Sequence, residues 1–317
     1  MTSATALHDH PALAGLTVFE RGWLSSNNLL VHAAPGEAGA TLVDSGHVDH
    51  APQTLALLRH ALGGAPLARI VNTHLHSDHC GGNATLARAY GARITIPPGQ
   101  AEAVRAWQAD ALSYDATGQR CERFAAHATL APGKVFEAGG RRFEVIAAAG
   151  HDPDSVMLFD PAHGLLVSAD ALWEHGFGVV FPELDGEPGF DDVAAVLDRI
   201  ESLPVRLVVP GHGAPFTDVA AALARARARL AAFVADPARH ARHGAKVLIK
   251  YHLMEVREQS EAELRAWAAR TPLLVGVWQR VGRARGVSVE AWSTALVAEL
   301  VGSGALQRRG DLIADLP

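Results

Sequence analysis

Cysteine is nearly missing: Cys80 and Cys121 are the only two in 317 residues. So few thiols exclude a disulfide framework and suit a reducing compartment. A positive field is missing too. The formal net charge is -6, which argues against recruitment by nucleic acid or by an anionic membrane surface. No apolar run reaches the roughly 18 residues of a membrane-spanning helix, so no membrane partner is expected. The start, Met1 to Pro11, lacks the basic residues and long apolar stretch of an export signal. The expected location is cytoplasmic.

What is present is abundant core material. Hydrophobic residues make up 49% of the chain, and the length allows two domains.

The densest chemistry lies in Thr73-His74-Leu75-His76-Ser77-Asp78-His79-Cys80-Gly81-Gly82, directly after the strand-like run Leu67 to Asn72. In an extended segment, residues two apart project to one side, so His74 and His76 can face one ion. If the chain then turns, Asp78 and His79 can serve a second. Histidine tags are repetitive and terminal, and they lack this strand and glycine context. The site is expected at a strand's carboxyl end, where open α/β sheets place their ligands.

This pattern resembles the metallo-β-lactamase superfamily, whose signature is His-x-His-x-Asp-His followed by glycine. The resemblance implies further ligands downstream, each after an apolar strand. His151 follows Phe143 to Gly150, Asp170 ends Gly164 to Ala169, and His212 lies in Pro210-Gly211-His212-Gly213. The implied sets are His74, His76 and His151 for one metal, Asp78, His79 and His212 for the other, and Asp170 for both.

After His151 many relatives continue Thr-x-Gly-His, whereas this chain has Asp152-Pro153-Asp154-Ser155, so the hydrogen bonding behind the ligands differs. Asp44, in Asp44-Ser45-Gly46, is expected to fix a ligand or its loop, since metal-bound histidines donate their second ring N–H to an oxygen. A turn aspartate is the alternative.

Imidazole and carboxylate without thiolate suit zinc, with iron or manganese as alternatives. Two ions roughly 3.5–4 Å apart can share a water and lower its pKa towards about 7, which supplies hydroxide as the nucleophile. Asp78 and Asp170 are then catalytic by orienting that water, and His175, or Glu174 beside it, in the loop Ala171 to Phe181, is the candidate general acid. Cys80 is read as a small buried hydrophobe.

The pattern of runs supports α/β, and the resemblance implies an αββα sandwich over residues 1–236. Strands are expected near 16–20, 27–32, 41–44, 68–72, 135–137, 142–147, 155–160 and 164–168. Helices are expected at Ala51 to Leu62, Gln100 to Ala111, Asp191 to Ser202 and Val219 to Val234. In the last of these, Arg225, Arg227 and Arg229 read as a solvated surface.

The polar stretch Asp236 to Gly244 is placed as a linker with His240 and His243 in water, and the rest of 237–317 is expected to be a small domain. Its helices are Ala245 to Glu255, Ser260 to Arg270, Pro272 to Arg285 and Ser288 to Val301, with Ser260 and Glu263 as a capping box. The ribbon that follows resembles the winged-helix-like tail of some hydrolases of this fold. Winged helices often bind nucleic acid, yet the tail has twelve Lys and Arg against eight Asp and Glu, a slight excess without aromatic interleaving. A packing or homodimerising module is expected, with Trp267, Trp278 and Trp292 as anchors. Trp278, Tyr251, Tyr114 and Trp107 are candidate pocket walls.

Three functions follow. The first is a binuclear metal-dependent hydrolase of an ester, thioester or lactone acting on a small-molecule acyl substrate. The second is a phosphodiesterase or endoribonuclease of the same fold. The third is a non-enzymatic metal-binding regulator.

Overall fold

The computed structural model describes residues 7, 9–283 and 286–316. Most of the stretch read for an export signal therefore lies outside the described residues, as does the far end of the helix expected to reach Arg285.

Two mixed sheets lie face to face. The first runs in the order β1 (Leu16–Phe19), β2 (Asn28–Val31), β3 (Ala40–Val43), β4 (Leu67–Val71), β5 (Arg93–Ile96) and β6 (Ala128–Thr129). Its β1–β3 are antiparallel, and β3–β6 are parallel. The second contains β7 (Val135–Ala138), β8 (Arg141–Ala147), β9 (Val156–Asp160), β10 (Leu165–Ala169) and β11 (Leu207–Pro210), ordered β11-β10-β9-β8-β7. There only β10 and β11 are parallel.

Side-chain alternation decides which residues meet where. Leu29, Val31, Val43 and Val71 of the first sheet join Val145, Leu158, Val167 and Val209 of the second in the core between the sheets. The intervening Leu30, Leu42 and Ile70 turn outward under α1 (Ala51–Leu62). Met157, Phe159, Leu166 and Val208 turn outward beneath later helices. Strands buried on both faces read as continuous apolar runs. The αββα sandwich expected from the resemblance is the observed architecture.

The helices that shape the site are α2 (Ser77–Cys80), α3 (Asn83–Tyr90), α4 (Ala101–Ala106), α5 (Tyr114–Thr117), α6 (Phe181–Asp185), α7 (Phe190–Glu201) and α8 (Val219–Ala235). Here α4 is shorter than the expected Gln100 to Ala111 because Trp107 turns left-handed at φ 54° and ends it. The sequence reading also missed β5.

The supposed linker is a correction. Residues 237–256 form one helix, α9 (Pro237–Val256), with Pro237 at its start and the Asp236 side chain capping Arg239 N–H. An Asp-Pro pair that looks like a breaker is also a good helix start. His240 is buried, not solvated, and its Nε2 accepts from the Val180 N–H at 3.2 Å. His243 is half-buried against Phe233, 5.7 Å between ring centroids.

The remaining elements are α10 (Glu261–Arg270), α11 (Pro272–Val281) and α12 (Val289–Gly302), with a small sheet of β12 (Glu258–Ser260), β13 (Leu306–Arg309) and β14 (Leu312–Asp315). The expected capping box is present at Ser260 and Glu263. Trp267 and Trp292 are buried anchors.

These helices share one apolar core with the stretch between β10 and β11: Val179 and Leu184 pack with Leu248, Ile249 and Val277. Leu184 is fully buried there. Leu184→Ala is expected to cost about 2–5 kcal/mol through lost transfer and the cavity left behind. Urea unfolding with an unchanged m-value checks it.

Candidate metal centre

Every motif residue sits just past the carboxyl end of a strand. His74 to His79 follow β4, His151 follows β8, Asp170 follows β10 and His212 follows β11. The two sheets thereby deliver all seven side chains to one edge of the sandwich. Two backbone features accompany them: Asp44 (φ 56°) and Ala169 (φ 47°) adopt left-handed conformations without being glycine, a strain common at functional sites.

All seven are buried. They form two groups, His74 with His76 and His151, and Asp78 with His79, Asp170 and His212; within each, the donor atoms lie within 4.8 Å of one another. His76 Nδ1 is 3.1 Å from His74 Nε2 and 2.8 Å from His151 Nε2.

The surrounding hydrogen bonds fix the tautomers. His151 Nδ1 lies 2.6 Å from the Val179 carbonyl, so it donates there and leaves Nε2 a lone pair. Thr73 gives its hydroxyl proton to Asp44 Oδ2, so its oxygen accepts from His74 Nδ1 at 3.2 Å, and His74 Nε2 also carries a lone pair. With His76 Nε2 on the side of Asp152, 3.7 Å from its Oδ2, His76 Nδ1 points between these two lone pairs, and three neutral imidazole nitrogens converging on one point suit a cation.

Asp44 does more than turn the chain. It also accepts from Thr73 N–H and from His79 Nδ1 at 2.8 Å, which directs His79 Nε2 inward. That buried nitrogen has no hydrogen-bond partner among the described residues. It faces Asp170 Oδ1 at 3.4 Å and Asp78 Oδ2 at 3.7 Å. Asp170 stands between the groups, its Oδ2 3.3 Å from His151 Nε2, and Trp173 Nε1–H donates to its Oδ1. An orphaned imidazole nitrogen between two carboxylates, beside three converging imidazoles, fits divalent cations bound through nitrogen and oxygen.

Charge follows burial and pairing. Burial pushes His76 and His151 down to about 4 and His74 well below its ordinary range, so the first group is neutral. Burial opposes ionisation of Asp78 and Asp170, yet His79 and His212 outweigh it. Asp78 falls to about 2 and Asp170 lies well below the usual carboxylate range. The second group is anionic at its carboxylates.

Two residues close to the ligands were not singled out by sequence. Trp23, 57% exposed, stacks on His212 with centroids 5.3 Å apart and planes at 10°. Asp152 is buried with Oδ2 3.7 Å from His76 Nε2, in the stretch where the chain departs from its relatives' Thr-x-Gly-His.

A cavity of about 790 Å³ opens over the two groups, with Trp23, Trp173, Phe177 and Phe181 on its walls. One wall comes from α8 and α9. Tyr251 of α9 hydrogen-bonds Ser77 at 2.8 Å; because Ser77 donates its own proton to Gln119, Tyr251 must be the donor.

His175 reaches the cavity rim, its side chain 79% exposed and 3.8 Å from Glu174. Arg227 pairs with Asp198 and Glu201 at the surface, but Arg229 is half-buried and lines the cavity, a correction to the solvated reading. Periodicity along one helix does not reveal the loop that packs against it. Trp107 and Tyr114 belong to the core under α1, and Trp278 donates to Val287 O away from the cavity. Cys80 is buried, as expected. No described helix is long and apolar enough to cross a membrane.

Comparison with known proteins gives concordant results. The family model described as metallo-beta-lactamase superfamily matches residues 21–212. A hydroxyacylglutathione hydrolase of Synechococcus sp. (strain JA-3-3Ab) is 30% identical over 181 residues, covering 57% of this chain and 61% of that protein. The match thus spans about three fifths of that relative. The enzyme of the same name from Anaeromyxobacter dehalogenans is 32% identical over 221 residues, 68% of this chain and 74% of the relative. Among solved structures, a metallo-beta-lactamase family protein from Thermus thermophilus aligns at a TM-score of 0.54 with 22% identity, over 96% of this chain and 99% of that one. A beta-lactamase domain protein from Burkholderia ambifaria aligns at 0.56 with 21% identity, over 96% and 93%. At that identity they share the fold alone. With the family model matching well over half its length, this chain belongs to the metallo-beta-lactamase superfamily.

Proposed function

We propose that the protein is a binuclear metal-dependent hydrolase of a small acyl thioester. His74, His76 and His151 would hold one divalent ion and Asp78, His79 and His212 the second, with Asp170 placed to serve both groups. Zinc is the leading candidate for an all-nitrogen-and-oxygen set, with iron and manganese as alternatives. The observation that carries the reading is the pair of buried donor groups, Asp170 between them, at the floor of an apolar-walled cavity. The hydroxyacylglutathione hydrolases among its relatives direct the choice of thioester over other esters.

Bound ions supply Lewis-acid polarisation of the substrate carbonyl and lower the pKa of water to about 7. The chain's own residues do the rest. Asp78 and Asp170, held anionic by His79 and His212, orient the attacking water and accept hydrogen bonds from it. Trp173 fixes the Asp170 carboxylate through its indole N–H. Asp44 locks Thr73 and His79, and Tyr251 braces Ser77 within the ligand loop. The apolar walls exclude bulk water from the acyl group.

A thiolate leaves readily because its thiol has a pKa near 8.5. The demand on an acid is therefore small, which is compatible with His175 delivering a proton from the solvated rim.

Release of free thiol from a panel of S-acyl thioesters tests the reading, with a lactone and a chromogenic bis-phosphodiester alongside. Metal-dependent thiol release is expected. Phosphodiester turnover alone would overturn it in favour of a nuclease-like activity.

A further inference from the structure

The cavity's basic side chains are unequal. Lys250 bonds Asp315 and the carbonyls of Ala305 and Leu316, and Lys246 lies 3.4 Å from Glu299, which Arg242 also contacts. Arg229 is different. Among the described residues its guanidinium has no carboxylate within 4.0 Å and no hydrogen-bond acceptor, although it is half-buried and lines the cavity. A half-buried guanidinium with no protein acceptor among the described residues keeps its planar fork available to an anion in the cavity.

The loop against which Arg229 lies is held in place. Arg225 Nε donates to Glu174 O at 2.7 Å, Trp173 N–H donates to Gly176 O at 2.7 Å, and Gly178 N–H donates to Asp170 O at 2.8 Å, so the loop 173–178 is pinned at both ends. Gly176, at φ 132°, lies so close to Arg229 that a Cβ there would stand 2.5 Å from Nη1. A Cβ on Gly178 would stand 2.4 Å from His151 Nδ1. Two residues of chain therefore separate Arg229 from a side chain of the metal centre, a span of at most about 15 Å once the side-chain offsets are added.

We propose that Arg229 is the anion subsite of this cavity, so that the substrate is an acyl thioester carrying a carboxylate or phosphate several bonds from the reacting carbonyl. The planar fork of arginine suits bidentate capture of such a group. The aromatic residues at the cavity mouth, Trp23 and Trp173, then contact the apolar stretch between the anion and the thioester. This assignment rests on the thioester reading but is testable apart from it.

Three matched thioesters separate the sources of the charge: one with a carboxylate in the acyl half, one with it in the thiol half, and one neutral. The metal-loaded full chain is expected to prefer one anionic form at least tenfold in kcat/KM. Arg229→Met should remove that preference through KM, and Arg229→Lys should restore part of it. A preference that survives Arg229→Met, equal losses on charged and neutral substrates, or no preference in the unaltered protein overturns the subsite. In parallel, calorimetry with non-hydrolysable thioether analogues reads binding without turnover. Carboxylate-dependent binding that Arg229→Met abolishes, with no thiol released from any thioester, would sink the hydrolase reading and sustain the subsite. Equal binding of charged and neutral thioethers overturns the subsite whatever the turnover.

Discussion

Asp170→Asn is expected to lower kcat/KM for thioester hydrolysis by at least 10³, about 4 kcal/mol of transition-state stabilisation. The substitution keeps the shape and removes the charge. The carboxylate lies 3.3 Å from His151 Nε2 and 3.4 Å from His79 Nε2, so one side chain serves both groups. Disturbing a residue behind a ligand already costs 10–100-fold in metal affinity or activity, and Asp170 is more directly placed than that. The amide also leaves His79 Nε2 with one fewer anion in a buried site. Steady-state kinetics at saturating metal, compared with unsaturated metal, checks the effect. A variant within tenfold of the parent would remove Asp170 from the mechanism.

His212→Ala is expected to reduce bound divalent metal by one equivalent while the chain stays folded. Its Nε2 lies 3.0 Å from Asp78 Oδ2, in the second group, and it takes no part in the first. The ring sits at the site's outer side under Trp23, so its truncation opens the site to water and leaves the cores between and outside the sheets untouched. Asp78→Ala should give the same stoichiometry. Metal analysis with circular dichroism on each variant checks both points. Two full equivalents retained by either variant would contradict the two-group assignment.

The seven candidate ligands that the structure brings together could be picked out in sequence because each one is locally encoded: an apolar strand, then a short motif at its carboxyl end. The alternation that builds the sandwich is local as well, which is why β2–β4 and β8–β10 lay close to where the apolar runs put them. Asp44 was legible for the same reason, though its three bonds to Thr73 and His79 were not.

What sequence missed depends on contacts between distant segments. The Tyr251–Ser77 bond joins residues 174 apart, and Trp23 meets His212 only after the sheets have packed. Arg229 looked solvated because the glycine-rich loop that covers it is placed by other contacts. The stretch 236–244 misled because charge and histidine content suggested solvent, while the Asp-Pro start and the apolar pocket around His240 made it helix.

Metal content per chain, measured by elemental analysis on protein purified without chelator and paired with thiol release, tests the central claim most directly. Nearly two equivalents of divalent metal are expected, with turnover lost on chelation and regained on adding metal back. A single iron per chain, or hydrolysis indifferent to metal removal, would contradict the account.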